Sequence, residues 1–384
     1  MNGKSIYLKY VNKERLLKTL IELLKIKSPS KNEKQIVNYV EKKIREFGLE
    51  VYKDSCGKKF GSNAGNIIAV YKSIKSQPSK CKSVFLGAHM DTVKLNGDVN
   101  PIIVDGRIIN KNSKCILGGD DKIAIAAIME ALHIIREKRI PTGDIYILFT
   151  ISEEIGVLGA KYLDLEKVKA DYGFVFDAEG DIGVIYNKAP YHNSINAEFI
   201  GKAAHAGIEP EKGISSIKAA SSAINNIKFG RIDNETTCNI GKINGGDGRN
   251  IVPERTKVEA EARSLELSKL KNITDLIISG FKKGAEKYNA RLEYEIIREF
   301  DGFEISADEV PMIIAKKAIE RLGIKPEIKS SGGGSDINIF NSKGKIAINL
   351  SAGMEKVHTN KEYVEINQVE KLVALILEIC SYRF

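Results

Sequence analysis

The chain has 384 residues, 43% hydrophobic and 28% charged; this globular composition excludes a largely disordered protein, and the length exceeds what one hydrophobic core usually organises. The formal net charge is +9, but the basic residues stand singly or in pairs, as at Lys42-Lys43 and Lys282-Lys283, with no basic run interleaved with aromatics, so nucleic acid is not an expected partner. No stretch reaches the length of an apolar membrane span, the segment Met1 to Asn12 is polar, and the odd set Cys56, Cys81, Cys115, Cys238 and Cys380 contains no C-x-x-C pair; reduced thiols in a cytoplasmic protein are expected, with no membrane association.

Leu16, Leu17, Leu20, Leu23 and Leu24 recur at helical spacing, as do Ile36, Val37, Val40, Ile44 and Phe47 after the turn signal Ser28-Pro29-Ser30, predicting two amphipathic helices. An apolar strand at 84–88, a helix over 122–138 and strands at 145–151 and 173–176 follow. Strand, helix, strand with continuous apolar strands predicts an α/β fold with a mostly parallel sheet covered on both faces. After Asp177 the pattern changes to an alternating stretch from Ser194 to Ile200, a helix over 215–226, a strand at 258–263, a helix over 268–288 and a strand at 290–297. That order fits an inserted α+β domain, a ferredoxin-like sandwich. A helix over 310–322, the loop Gly332-Gly333-Gly334, a strand at 347–350 and a helix over 368–382 return to the first type. The expected division is 1–188 and 300–384 for the α/β domain and 189–299 for the insertion.

His89 and His358 lie in loops after apolar strands, and Asp91, Asp120, Glu153, Glu154 and Asp177 each lie just past a strand or at a helix start. Loops at the carboxyl ends of parallel strands face the ligand crevice. Carboxylates converging there without basic partners repel one another, and a bound cation compensates them; imidazole nitrogen with carboxylate oxygen suits zinc. Each residue also has a plain structural reading: Asp120 or Asp121 as a helix N-cap, Glu153-Glu154 as a first helical turn, His89 as a hydrogen-bonded core histidine. All of these would have to hold together at successive strand ends.

The segments Gly87-Ala88-His89-Met90-Asp91-Thr92-Val93, Leu117-Gly118-Gly119-Asp120-Asp121-Lys122, Ser152-Glu153-Glu154-Ile155-Gly156, Phe176-Asp177-Ala178-Glu179-Gly180 and His358-Thr359-Asn360-Lys361-Glu362-Tyr363 resemble, in that order, the motifs of the zinc peptidases related to peptidase T, carboxypeptidase G and the aminoacylases. The resemblance covers nearly the whole chain. Gly201-Lys202-Ala203-Ala204-His205-Ala206-Gly207 and the Gly-Gly-Gly-Ser-Asp loop are most similar to the peptidase T-like branch. It implies a zinc-peptidase catalytic domain whose insertion serves as lid and dimerisation domain. It also implies two zinc ions per chain, with cobalt or manganese as possible substitutes, one on His89 and Asp177, the other on Glu154 and His358, bridged by Asp120.

By the same resemblance, the Asp120-Asp121 peptide bond is cis, and Glu153 is the general base that activates a water shared by the metals. Asp91, two residues after His89, is suited to hold the imidazole in its tautomer. His205 is the hydrogen-bond donor to the oxyanion, supplied by the partner subunit of a homodimer, where otherwise it reads as a surface histidine. Asn250 and Arg263 match positions that hold a substrate carboxylate or carbonyl, though Arg263 could instead pair with Glu261 or Glu259; Gly333 and Gly334 could offer backbone N–H groups. His133 and His192 receive no role. The implied activity is hydrolysis of short peptides, as in the tripeptide aminopeptidases. The alternatives are a carboxypeptidase or N-acyl-amino-acid amidohydrolase on the same metal core, or a non-enzymatic binding protein, which would need none of these ligands.

Overall fold

The Asn12 side chain accepts the Arg15 N–H and so caps helix Lys13–Lys25, which buries Leu16, Leu20, Leu23 and Leu24. Helix Lys34–Glu46 buries Ile36, Val37, Val40 and Ile44 in the same core. These assignments come from a computed structural model that describes residues 5–73 and 81–383; the first residues of the polar N-terminal segment, 1–4, lie outside the described residues.

Strands Ile145–Thr150, Val84–His89, Tyr172–Ala178 and Ala347–Ser351 lie side by side in that order, all parallel. Every residue of Val84–His89 and of Ile145–Thr150 is buried, as expected of a parallel sheet covered on both faces. Antiparallel strands extend it: Ile67–Tyr71 and Glu50–Lys53 on one side, Val184–Ala189 on the other. Helix Lys122–Lys138, rich in Ile and Ala, is buried nearly all round, and Ile366–Cys380 packs against it. The α/β class predicted from the sequence is the observed one. A separate four-stranded sheet orders Met354–Glu355, Tyr363–Glu365, Arg107–Asn110 and Pro101–Val104. No strands are expected there from the sequence, and the sheet holds the loop that carries His358.

The chain divides into two compact units, one built from the residues up to Asn187, Glu304–Ser330 and Ser335 onward, the other from Lys188–Phe303 and Ser331–Gly334. The second unit has a five-stranded antiparallel sheet in the order Gly230–Arg231, Thr236–Gly245, Arg255–Ser264, Tyr191–Ile200, Arg291–Phe300. Helices Ser216–Asn225 and Leu267–Lys287 close its own core, with Phe199 and Phe281 edge to face at 5.7 Å. These helices approach so closely that a Cβ at Gly284 would lie 2.5 Å from the Ala223 Cβ. No helix among the described residues is long and apolar enough to cross a membrane, and all five cysteines are free.

Candidate active site

Three neighbouring parallel strands deliver the polar groups to one edge of the first unit's sheet. His89 ends Val84–His89, Asp177 lies at the end of Tyr172–Ala178, and Glu153 and Glu154 follow Ile145–Thr150. Asp120 precedes helix Lys122–Lys138, and His358 comes from the loop before Tyr363–Glu365. The His89 Nε2 atom is 3.1 Å from Asp120 Oδ1 and 3.6 Å from Asp177 Oδ1. His358 Nε2 is 3.2 Å from Asp120 Oδ2 and 3.0 Å from Glu154 Oε1. Two donor groups result, His89 with Asp120 and Asp177, and Asp120 with Glu154 and His358, each with its ligand atoms within 4.8 Å of one another. Asp120 belongs to both.

The helix-cap and first-turn alternatives do not describe this arrangement, whereas His89 is both a buried, hydrogen-bonded histidine and a member of the donor group. Asp121 occupies the N-cap position of the following helix but makes no capping bond; its Oδ2 accepts the His89 N–H at 3.3 Å, and its buried Oδ1 has no partner among the described residues. The Asp120-Asp121 peptide bond is cis. The buried His89 ring places Nδ1 2.9 Å from the backbone carbonyl of Asp91 and 3.6 Å from its carboxylate. In the neutral ring that a metal requires, a proton on Nδ1 donated to that carbonyl leaves the Nε2 lone pair facing Asp120 and Asp177. The Asp91 carboxylate meanwhile accepts the N–H groups of Glu153 at 2.9 Å and Glu154 at 3.2 Å and the Ser30 hydroxyl at 2.7 Å.

Burial, with the nearby Asp177 charge, raises the Glu153 carboxyl well above the usual carboxylate range. Burial also pushes Asp177 up to about 6 and raises Glu154. His358 is pushed up to about 10 by its bonds to Asp120 and Glu154. Burial opposes the charge on His89, but Asp120, Asp177 and Asp91 outweigh it and raise the imidazole; burial likewise opposes Asp120, yet the two imidazoles hold it below the usual range. Carboxylates thus outnumber the positive groups in a buried site. The donor set of imidazole nitrogen and carboxylate oxygen around a shared aspartate fits two divalent cations.

Two further carboxylates complete the surroundings. Glu362 is buried, and its oxygens accept the N–H groups of Gly118 and Gly119 at 2.7 Å each and of Asp120 at 3.3 Å. Asp336 is buried, accepts a hydrogen bond from the Thr150 hydroxyl, has no partner for Oδ1 among the described residues, and is pushed up to about 7 by burial. Both lie in segments singled out in the sequence, the His358 motif and the Gly-Gly-Gly-Ser-Asp loop, but nothing in the sequence distinguishes their part from a neighbour's.

His205, Asn250, Arg263, Gly333 and Gly334 belong to the second unit. Ala206 N–H donates to the Asn250 carbonyl and Val252 N–H to the Ala204 carbonyl, both at 2.9 Å, so the exposed His205 and Asn250 lie on adjacent antiparallel segments. Gly207 N–H donates to His205 Nδ1 at 3.2 Å, which puts the imidazole proton on Nε2. Arg263 pairs with Glu261 at 3.0 Å, while Glu259 pairs with Lys242 at 2.9 Å. Glu261 also lies 3.2 Å from His192 and is held at about 2, chiefly by His192 and against its own burial. A Cβ at Gly333 would come within 4.0 Å of Arg263 Nη1, and the Gly333 N–H already donates to the Ser331 hydroxyl at 3.1 Å. At Gly334 a Cβ would lie 2.2 Å from the Phe300 ring; only glycine fits.

The family model described as Peptidase family M20/M25/M40 matches residues 85–381. Peptidase T of Fusobacterium nucleatum is 30% identical over 78% of this chain and 81% of its own length. Among solved structures, aminopeptidase PepT of Bacillus cereus is 36% identical, covering 97% of this chain and 99% of its own with a TM-score of 0.86. A tripeptidase of Staphylococcus aureus is also 36% identical, covering 97% and 98% of the two chains with a TM-score of 0.90.

Proposed function

The chain belongs to peptidase family M20/M25/M40, in its peptidase T-like branch, and from that premise we propose that it is a dinuclear zinc tripeptide aminopeptidase with Glu153 as general base. The observation that carries the reading is Asp120, whose two oxygens each face a different imidazole, beside a glutamate, Glu153, that belongs to neither donor group. His89 and Asp177 would hold one ion, Glu154 and His358 the other, and Asp120 both. Zinc, or cobalt or manganese in its place, would supply Lewis acidity that lowers the pKa of a water and polarises the scissile carbonyl.

The chain's own residues do the rest. Asp91 holds the His89 ring through its carbonyl and the Glu153-Glu154 backbone through its carboxylate. Glu153, whose raised carboxyl pKa gives the ionised form a high proton affinity, takes a proton from the attacking water and passes it to the leaving amine. His205 from a second copy of the chain donates Nε2–H to the oxyanion; its tautomer supports this, and the exposed Ile208 and Ile251 beside it offer apolar surface for a homodimer. We take the second unit as the lid and dimerisation domain, with Asn250, Arg263, Gly333 and Gly334 holding the substrate, and the protein as cytoplasmic. A mass-spectrometric screen of di- and tripeptides with free or blocked ends, alongside N-acyl amino acids, tests the reading. Cleavage that requires a free amino terminus on a tripeptide is expected; cleavage of acetylated substrates alone would overturn it in favour of an amidohydrolase.

A further inference from the structure

Glu33 stands at the N-cap position of helix Lys34–Glu46 but does not cap it; Asn63 Oδ1 accepts the Lys34 N–H instead. Its fully buried carboxylate turns toward the strand-end loop ahead of Glu153. Oε1 accepts the Ser152 hydroxyl at 2.5 Å and the Lys31 N–H at 2.7 Å, and Oε2 accepts the Ser62 hydroxyl at 2.6 Å. Ser152 is itself fully buried and left-handed, with φ at +53°, a conformation that costs a residue with a Cβ and is free to glycine. A serine where glycine would be unstrained indicates that its hydroxyl is used.

The consequence falls on the next residue. Asn66 accepts the Ile151 N–H at 3.1 Å, Glu33 the Ser152 hydroxyl, and Asp91 the N–H groups of Glu153 and Glu154, so four successive residues are pinned by side chains from distant parts of the chain. Released from Glu33, Ser152 could relax toward negative φ, which turns the Ser152-Glu153 peptide away from Asp91 and re-aims the Glu153 side chain. We propose that Glu33, acting through Ser152, is a positioning residue for the general base. The inference rests on the reading of Glu153 as that base.

The test uses zinc-loaded Glu33→Ala, Ser152→Ala and the double variant, with wild type and Glu153→Gln in parallel, on the free tripeptide that wild type cleaves fastest. Each single variant is expected to lose 10- to 100-fold in kcat, since small misplacements of a reacting group cost rate on that scale, with KM within threefold and zinc content unchanged. The double variant should lose no more than the worse single, because both remove one contact. Should Glu33→Ala fail to fold, Ser152→Ala, which deletes one hydroxyl, reads the same bond. Wild-type kcat in the folded single variants, or a loss that merely tracks lost zinc, overturns the inference alone. Wild type without peptidase activity, or an active Glu153→Gln, overturns the base reading and this inference with it.

Discussion

Glu362 is tied to Asp120 through the backbone, accepting the aspartate's N–H at 3.3 Å while it takes the two preceding glycine N–H groups at 2.7 Å each. It sits four residues after His358, so one carboxylate sets the distance between two proposed ligands. Glu362→Ala strands three buried N–H groups, at about 1–3 kcal/mol each if unsatisfied, and lets the Asp120 loop drift from His358. Calorimetric zinc titration should show affinity reduced roughly 10- to 100-fold, and urea unfolding should show lower stability. Unchanged zinc affinity would contradict this role.

Gly334→Ala should destabilise the protein by about 1–3 kcal/mol through overpacking on Phe300, seen as a lower Tm with no substrate present. Adding Phe300→Leu, which removes part of the ring, should recover some of that loss. A Tm unaffected by Gly334→Ala would show that the glycine answers to substrate rather than to packing.

His133 lies half-buried with its ring 4.3 Å from that of Phe47, and burial pushes it down to about 4. The folded state therefore holds the neutral imidazole while the unfolded chain protonates near 6.5. Its contribution is fully present above pH 6.5 and is lost as pH falls from there toward 4. His133→Gln should flatten the fall in stability across that window relative to wild type, measured by urea unfolding at several pH values. Parallel acid limbs for the two proteins would contradict the assignment.

The elements that carry the proposed metal ligands are legible because their patterns are local. Helix Lys122–Lys138 shows its 3.6-residue repeat and strands Val84–His89 and Ile145–Thr150 their apolar runs, and a polar residue just past such a run lies at a strand end. Strand Thr236–Gly245 escaped because its half-exposed sequence, with Asn239, Lys242 and Asn244, lacks apolar alternation. The adjacency of His205 to Asn250, the Glu362 clamp and the Glu33 contact with Ser152 all join residues far apart in the chain, and only tertiary packing sets such distances. Asp91 shows the intermediate case: its spacing pointed to His89, but its carboxylate is spent chiefly on the Glu153 and Glu154 amides.

The most direct measurement of the central claim is turnover and bound metal in Glu153→Ala, determined on the same zinc-supplied preparation as wild type. Two zinc ions per chain in both proteins, with the variant's kcat reduced by several orders of magnitude, is the predicted result. Substantial turnover in the variant, or wild type that holds no zinc, would contradict it.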